Sequence, residues 1–523
     1  MYVLISSRKC LHAWLRLAFF GAIGVGCLSG QMPTAGMGAS GSSRATPLPL
    51  SGSLNQPGSV DAQQSAAPGS GIATVNSTIQ VTGNYAGSVP GALGAGPVKL
   101  TLKDALKLGL TANLGTISAD NSVRASRAER IQALSALLPS ISANASSTVA
   151  QVNLAAYGFQ FKLPPGTNIS IPSVVGPFTY SQLQGALSQS IYDPVERRNW
   201  KASKETERAT ALSAKDAREL VVLAVGGTYL QTIASAARVE SQRAQVDNAQ
   251  AVYQQAVTRK AAGTNSKIDV MRSLVELQTQ QQRLSSLESD LQKQKITLAR
   301  VIGLRQDREL ILAEPLGFLD VPIPNAPAAI EQALQRRADL QSLAAQVSAA
   351  EQALSAAHAE RLPSVTLNGD YGVLGANPVS THGVFAVTGQ VNVPIWQGGR
   401  TKGDIQQAEA TLHERQAELA DQRGRVEQDV RNALIELQTA AGQVRLAESN
   451  RNYANETLSE SRDRFSAGVA NTVEVVQAEE QVAGAESDYI SSLFSFDLAR
   501  LSLARATGEA ENDLPDLLKG NRP

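Results

Sequence analysis

The chain has 523 residues, 43% hydrophobic but only 4% aromatic, a balance that fits long helices packed through small side chains rather than a thick globular core. Its 47 basic and 47 acidic residues cancel, which excludes global attraction to nucleic acid or to anionic lipid. Cys10 and Cys27 are the only cysteines, so everything beyond residue 27 lacks a disulfide, a reactive thiol or a cysteine metal site.

Residues 1–27 read as an export signal. Arg8, Lys9 and Arg16 precede an apolar run from Leu17 to Gly26, too short to span a bilayer. Gly24-Val25-Gly26-Cys27 resembles a lipobox, with Gly24 where that motif usually carries Leu. Cys27 is therefore the lipidation candidate, and ordinary signal cleavage nearby is the alternative. Residues 28–97 are rich in Gly, Ser, Pro and Ala and nearly free of charge, the composition of a flexible tether. No uninterrupted apolar run of membrane-helix length is expected downstream, so a membrane-inserted mature chain would have to use β-strands.

The first folded segment is assigned to 98–310. Leu100 to Leu106 opens it, with Thr101 as helix N-cap and Asp104 in the first turn. Helices then run to Leu138, and Pro139 stops them. A β-hairpin follows over about 140–192, in which Leu183, Leu187 and Ile191 share a face. Ile191-Tyr192-Asp193-Pro194 leads into a helix reaching about Lys260, and a reversal at Gly263 sends a second helix back. Roughly 65 residues of helix make a rod of ~100 Å. Residues 311–327 read as a linker.

The segment 328–510 repeats the plan. Leu362-Pro363-Ser364 leads into a hairpin over about 364–396, where Val365, Leu367, Tyr371 and Val373 alternate with Thr366, Asn368 and Asp370. In its second strand Phe385, Val387, Val391, Val393 and Ile395 alternate with Ala386, Thr388, Gln390 and Asn392. Strands of about ten residues, apolar on one side and polar on the other, suit a transmembrane barrel. The connection in the first hairpin is longer and holds Pro164, Pro165, Pro172 and Pro177, which fits an extracellular loop. Pro394 to Arg400 leads into a helix reaching about Phe465, and the chain reverses at Gly468. Residues 511–523 form a tail.

The two segments share one register. Gly263 and Gly303 in the first match Gly468 and Gly508 in the second, a displacement of 205 residues in both cases. Between those glycines Val270, Leu277, Leu284, Leu291 and Leu298 form a seven-residue ladder. Val475, Val482, Tyr489, Phe496 and Leu503 repeat it at the same displacement, the mark of a duplicated half rather than a solenoid. Exact sevens favour a left-handed supercoil.

No catalytic constellation is present. His12, His358, His382 and His413 stand in unrelated contexts, and Gly398-Gly399-Arg400 lacks the ending of a phosphate loop. No enzyme activity, cofactor or metal is expected.

The order and spacing of these landmarks resemble the TolC-like outer-membrane efflux protein family from about residue 98 to 510. The resemblance implies an α+β membrane protein. Mainly long α-helices would form a periplasmic helical barrel, and four transmembrane β-strands per protomer would enter a shared twelve-stranded trimeric β-barrel. It further implies a homotrimer embedded in outer-membrane lipid. A periplasmic adaptor would connect it to an inner-membrane transporter, and the whole would export small molecules or polypeptides. Ala262-Gly263-Thr264 and Ala467-Gly468-Val469 align with the family's adaptor-contacting tip, though both depart from its commoner Val-Gly-Leu form. Asp269 and Glu474 align with acids of the pore constriction, and Gln477 stands where the family has a further acid. Two other classes also carry long helical hairpins: a periplasmic adaptor and a coiled-coil scaffold without a pore. Adaptors usually carry one hairpin inserted in a lipoyl-like β-domain rather than two hairpin-bearing duplicates, and a scaffold would not need the apolar strand faces.

Overall fold

The computed structural model describes residues 59–66, 75–91, 96–158, 172–263, 266–314, 317–318, 322–376, 380–470 and 472–511. Every described residue belongs to one compact unit within 51–523. Cys27, Thr264 and most of the 511–523 tail lie outside the described residues.

The N-terminal part contains β1 (Val60–Ala66), β2 (Val75–Val81), a 3-10 turn (Gly83–Ala86) and β3 (Val98–Leu100). Two helices follow, α1 (Leu102–Ala112) and α2 (Leu114–Ser135), and then the strands β4 (Ser140–Asn153) and β5 (Val174–Tyr192). The first long hairpin is α3 (Pro194–Ala261) with α4 (Lys267–Ile302). Next come β6 (Leu310–Leu312), α5 (Ala326–Arg336), α6 (Ala338–Ala359), β7 (Ser364–Gly375) and β8 (Thr381–Asn392). The second long hairpin is α7 (Arg400–Ser466) with α8 (Thr472–Thr507). Helix, two strands, very long helix and return helix thus occur twice in the same order.

Local chemistry fixes the boundaries. Thr101 accepts a hydrogen bond from the Asp104 amide at 3.2 Å, as its position predicts. Asp193 caps α3 by accepting from the amides of Val195 and Glu196, and Pro194 pre-sets the first turn. All ten ladder residues of α4 and α8 are buried or half-buried, which draws each return helix along its partner.

The main core gathers where α3 meets α1, α4 and α8. Val221, Val222, Tyr229, Leu298, Ile302, Leu498 and Leu501 meet there, and the Tyr229 hydroxyl donates to the Leu100 carbonyl at 3.1 Å. Helix α3 contains an 18-residue window of mean hydropathy 1.5, apolar and long enough to cross a membrane. However, 72% of that window is buried inside the protein, so it is a core helix.

Within the expected tether from 28 to 97, the described residues 59–66 and 75–91 depart from a flexible chain: strands β1 and β2 pair antiparallel, and Val60, Ile79, Val81 and Tyr85 join the core. Ile79 sits against Gly227 of α3, where an added Cβ would collide with its Cδ1. Tyr85 is buried, and the Asn113 side chain donates to its carbonyl at 2.8 Å. Val75 to Val81 carries the alternation that marks a strand, but the surrounding Gly and Ser dilute it. The assigned 311–327 linker likewise begins within structure, because β6 pairs in parallel with β3 and α5 starts at Ala326.

Candidate functional site

Two regions combine unusual exposure with specific geometry: the four-stranded sheet and the tips of the two helical hairpins. The sheet runs β4-β5-β7-β8, antiparallel throughout. Register puts Ile141, Leu187 and Gly369 in one cross-strand row with Val387, and Ala145, Leu183 and Val373 in another with Gly383. Tyr371 and Phe385 oppose each other on the same face. That face is open: Ile141 is 80% exposed, Tyr371 72%, Phe385 77% and Val387 68%. Ser142, Asn144, Gln184, Asn368, Thr388 and Gln390 occupy the opposite face. A contiguous apolar face left this open marks contact with membrane or partner.

At the first tip α3 ends on Ala262, and Gly263 turns with φ 77°, a left-handed conformation that glycine adopts without strain. Ser266 then starts α4 through a capping box. Its Oγ accepts from the Asp269 amide at 3.3 Å, and an Asp269 carboxylate oxygen accepts from the Ser266 amide at 3.3 Å. Asp269 is thus committed to its own helix, with Arg272 4.0 Å away.

The second tip turns on Ala467 and on Gly468 with φ 79°, and Val469 beyond it is exposed. Glu474 pairs with Arg464 across its own hairpin at 3.2 Å. The tips touch through Arg259, whose guanidinium stacks 4.2 Å from the centre of the Phe465 ring and donates to the Ser466 carbonyl at 3.1 Å. Deeper in the second hairpin, Arg462 donates to Glu479 at 3.0 Å. Burial pushes the Glu479 carboxyl above its ordinary range, with Arg462 opposing and Glu276 adding to the rise. Val252 of α3 packs with Leu458, Phe465, Val475 and Val482, so the hairpins share one apolar seam.

A groove of about 770 Å³ opens between the first turns of α4 and α8. Ile268, Met271, Val275, Val473 and Val476 form its apolar floor, with Lys267, Arg272, Glu276 and Gln477 among its polar members. Of the constriction candidates, Gln477 faces this groove, whereas Asp269 and Glu474 are held by their own hairpins. The groove has one local signal in the sequence, a second apolar stripe of Ile268, Met271 and Val275 offset from the ladder on the same helix.

The profile described as outer membrane efflux protein matches residues 117–304 and 329–509, one segment in each half. The chain belongs to that family. Membership puts the protein in the outer membrane. Among relatives, the pyoverdine export outer membrane protein OpmQ of Pseudomonas putida is 27% identical over 40% of this chain and 46% of its own length. OpmQ of Pseudomonas aeruginosa is 25% identical over 58% of this chain and 63% of its own. The chain therefore spans less than two thirds of the length of either relative. The crystal structure of the Campylobacter jejuni CmeC outer membrane channel superposes with a TM-score of 0.67 at 16% identity, covering 87% of this chain and 98% of that one. At that identity the likeness speaks for the fold alone.

Proposed function

We propose that three copies of this chain build one passive duct through the outer membrane. Each copy gives β4, β5, β7 and β8 to a shared twelve-stranded barrel, and the long helices continue the passage into the periplasm. The observation that carries this reading is the two-faced sheet. Its apolar face is open, its polar face lies behind, and β4 and β8 are its edges. Unpaired edges are not tolerated in hydrocarbon, and four strands are too few to close. Other copies supply the missing strands, and three copies of four give the twelve strands of this reading.

The tips form the periplasmic end. The α4/α8 groove, with Ala262, Gly263 and Thr264 and with Ala467, Gly468 and Val469, receives a periplasmic adaptor. The adaptor joins the duct to an inner-membrane transporter that supplies energy and selects cargo. The names of the OpmQ relatives make a siderophore-type small molecule the first cargo class to assay. Cys27 carries a lipid in this reading; an unchanged mass and membrane attachment in Cys27→Ser would remove that element.

Threefold symmetry turns Asp269 and Glu474 into rings of three carboxylates at the constriction, which raises local cation affinity. The double variant Asp269→Ala with Glu474→Ala is expected to raise single-channel conductance and lower cation selectivity in planar bilayers. Unchanged currents would rule the rings out. The function as a whole is tested by imaging protein extracted in detergent from fractionated outer membrane. A hollow threefold particle with a long helical end supports the duct. A soluble monomer or a solid rod returns the adaptor and scaffold classes to consideration.

A further inference from the structure

The polar face of the sheet carries one carboxylate. Across β4, β5, β7 and β8 the only acid is Asp370, and these strands contain no Lys or Arg. Register sets Ser142, Ala186, Asp370 and Ala386 in one row. The row nearer the helices is Ser140, Ser188, Asn368 and Thr388, and the next row outward is Asn144, Gln184, Gly372 and Val384. Asp370 therefore stands between two alanines, neither of which offers its side chain a hydrogen bond. Asn368, two residues along the same face, uses its Oδ1 to accept from Ser188 at 2.8 Å.

Folding gives no reason for an acid here. Asp is depleted in strands, and this one faces no cationic cross-strand partner. Its position has meaning when the polar face lines a lumen. Threefold symmetry then puts three carboxylates at one height of the barrel, well away from the tips, in a stretch of wall whose strands hold no Lys or Arg to cancel them, His382 of β8 being the one histidine on that face.

We propose that Asp370 sets the charge preference of the membrane-spanning part of the duct, favouring cationic cargo and disfavouring anionic cargo at the exit. The proposal rests on the barrel reading above. Its physical signature is salt dependence. A charge on the wall of a water-filled passage acts over the Debye length, about 30 Å at 0.01 M salt and about 3 Å at 1 M. The preference is therefore strong in dilute salt and vanishes in concentrated salt.

The test is channel recording in planar bilayers with spermidine, a small polycation, added from the barrel side. Wild type, Asp370→Asn and Asp370→Glu are compared, and their integrity is checked by the trimer band on unheated gels. In dilute salt spermidine is expected to block wild type and Asp370→Glu at concentrations about fivefold lower than Asp370→Asn, with no difference at 1 M salt. Spermidine added from the tip side reads the Asp269 and Glu474 rings, so the two ends are resolved. Equal block of all three proteins from the barrel side overturns the proposal while leaving the duct standing. A wild type that forms no channel removes the duct reading and this proposal with it.

Discussion

Arg259 and Arg464 occupy matching places in the two halves, 205 residues apart, and make different contacts. Arg464 folds back onto Glu474 of its own hairpin, whereas Arg259 reaches across to the ring of Phe465 and the carbonyl of Ser466. The difference follows from one neighbouring position. Phe465 corresponds to Lys260 in the first half, so only the second tip presents an aromatic face for a cation. The matching acids differ in the same way, with Asp269 closing a capping box and Glu474 closing an ion pair. One sequence pattern thus yields one tip that holds itself together and one that holds its neighbour.

The ladders give the widest contrast. Phe496 and Leu291 are the same rung, but Phe496 is buried against Leu437, Ala440 and Val444 of α7 while Leu291 is only half-buried. Phe496→Ala is expected to cost about 3–5 kcal/mol of stability, the range for a buried aromatic. Leu291→Ala is expected to cost about 1–2 kcal/mol, below the range for a fully buried leucine because part of its surface is already wet. Denaturant midpoints of the two variants decide it. Equal losses would mean that the halves are equally packed and that the contrast is not real.

Periodicity explains how much of this was legible. The helix ends expected near Lys260 and Phe465 (observed at Ala261 and Ser466), the strand start at Ser364 and the reversals at Gly263 and Gly468 follow from local signals: Pro, Gly, capping residues and a change of period. The β1–β2 segment was missed because its docking depends on Gly227, about 150 residues away, whose missing side chain makes room for Ile79. The groove was missed for a similar reason: Met271 and Val476 meet only when α4 and α8 lie side by side. The contact of Arg259 with Phe465 joins residues more than 200 positions apart, and no window along the chain contains both.

The second contrast concerns polar groups inside the hairpins. In the second, Glu479 is almost fully buried beside Arg462. In the first, Gln242 donates to Gln280 at 2.6 Å, a neutral pair. Burial raises the Glu479 pKa above its ordinary 4.5, so the folded protein holds this proton more tightly than the unfolded chain does. Its contribution to stability is full below the unfolded value and is lost as pH rises through the folded value. Acidification from neutral toward about pH 4.5 should therefore favour the fold through this group, by at most about 1.4 kcal/mol per pH unit. In Glu479→Gln that component of the slope is expected to vanish. Thermal midpoints measured across the window would count against Glu479 if the two proteins ran parallel.

The smallest effect is the most direct test of the unequal tips. Arg259→Ala removes a stacked cation and a hydrogen bond to a carbonyl, together about 1–2 kcal/mol. Arg464→Ala breaks an ion pair whose side chains are 52% and 40% exposed, and solvent screening holds its worth to about 0–1 kcal/mol. The energies nearly overlap, so stability alone separates the two poorly, and location decides. Loss of Arg259 loosens the contact between the two tips, beyond the shared apolar seam, and should speed proteolysis at both Gly263 and Gly468. Loss of Arg464 loosens only the hairpin that contains it, so cleavage should rise near Gly468 alone. Matching cleavage patterns in the two variants would mean that the tips are equivalent after all, and that the stacking of Arg259 on Phe465 does not couple them.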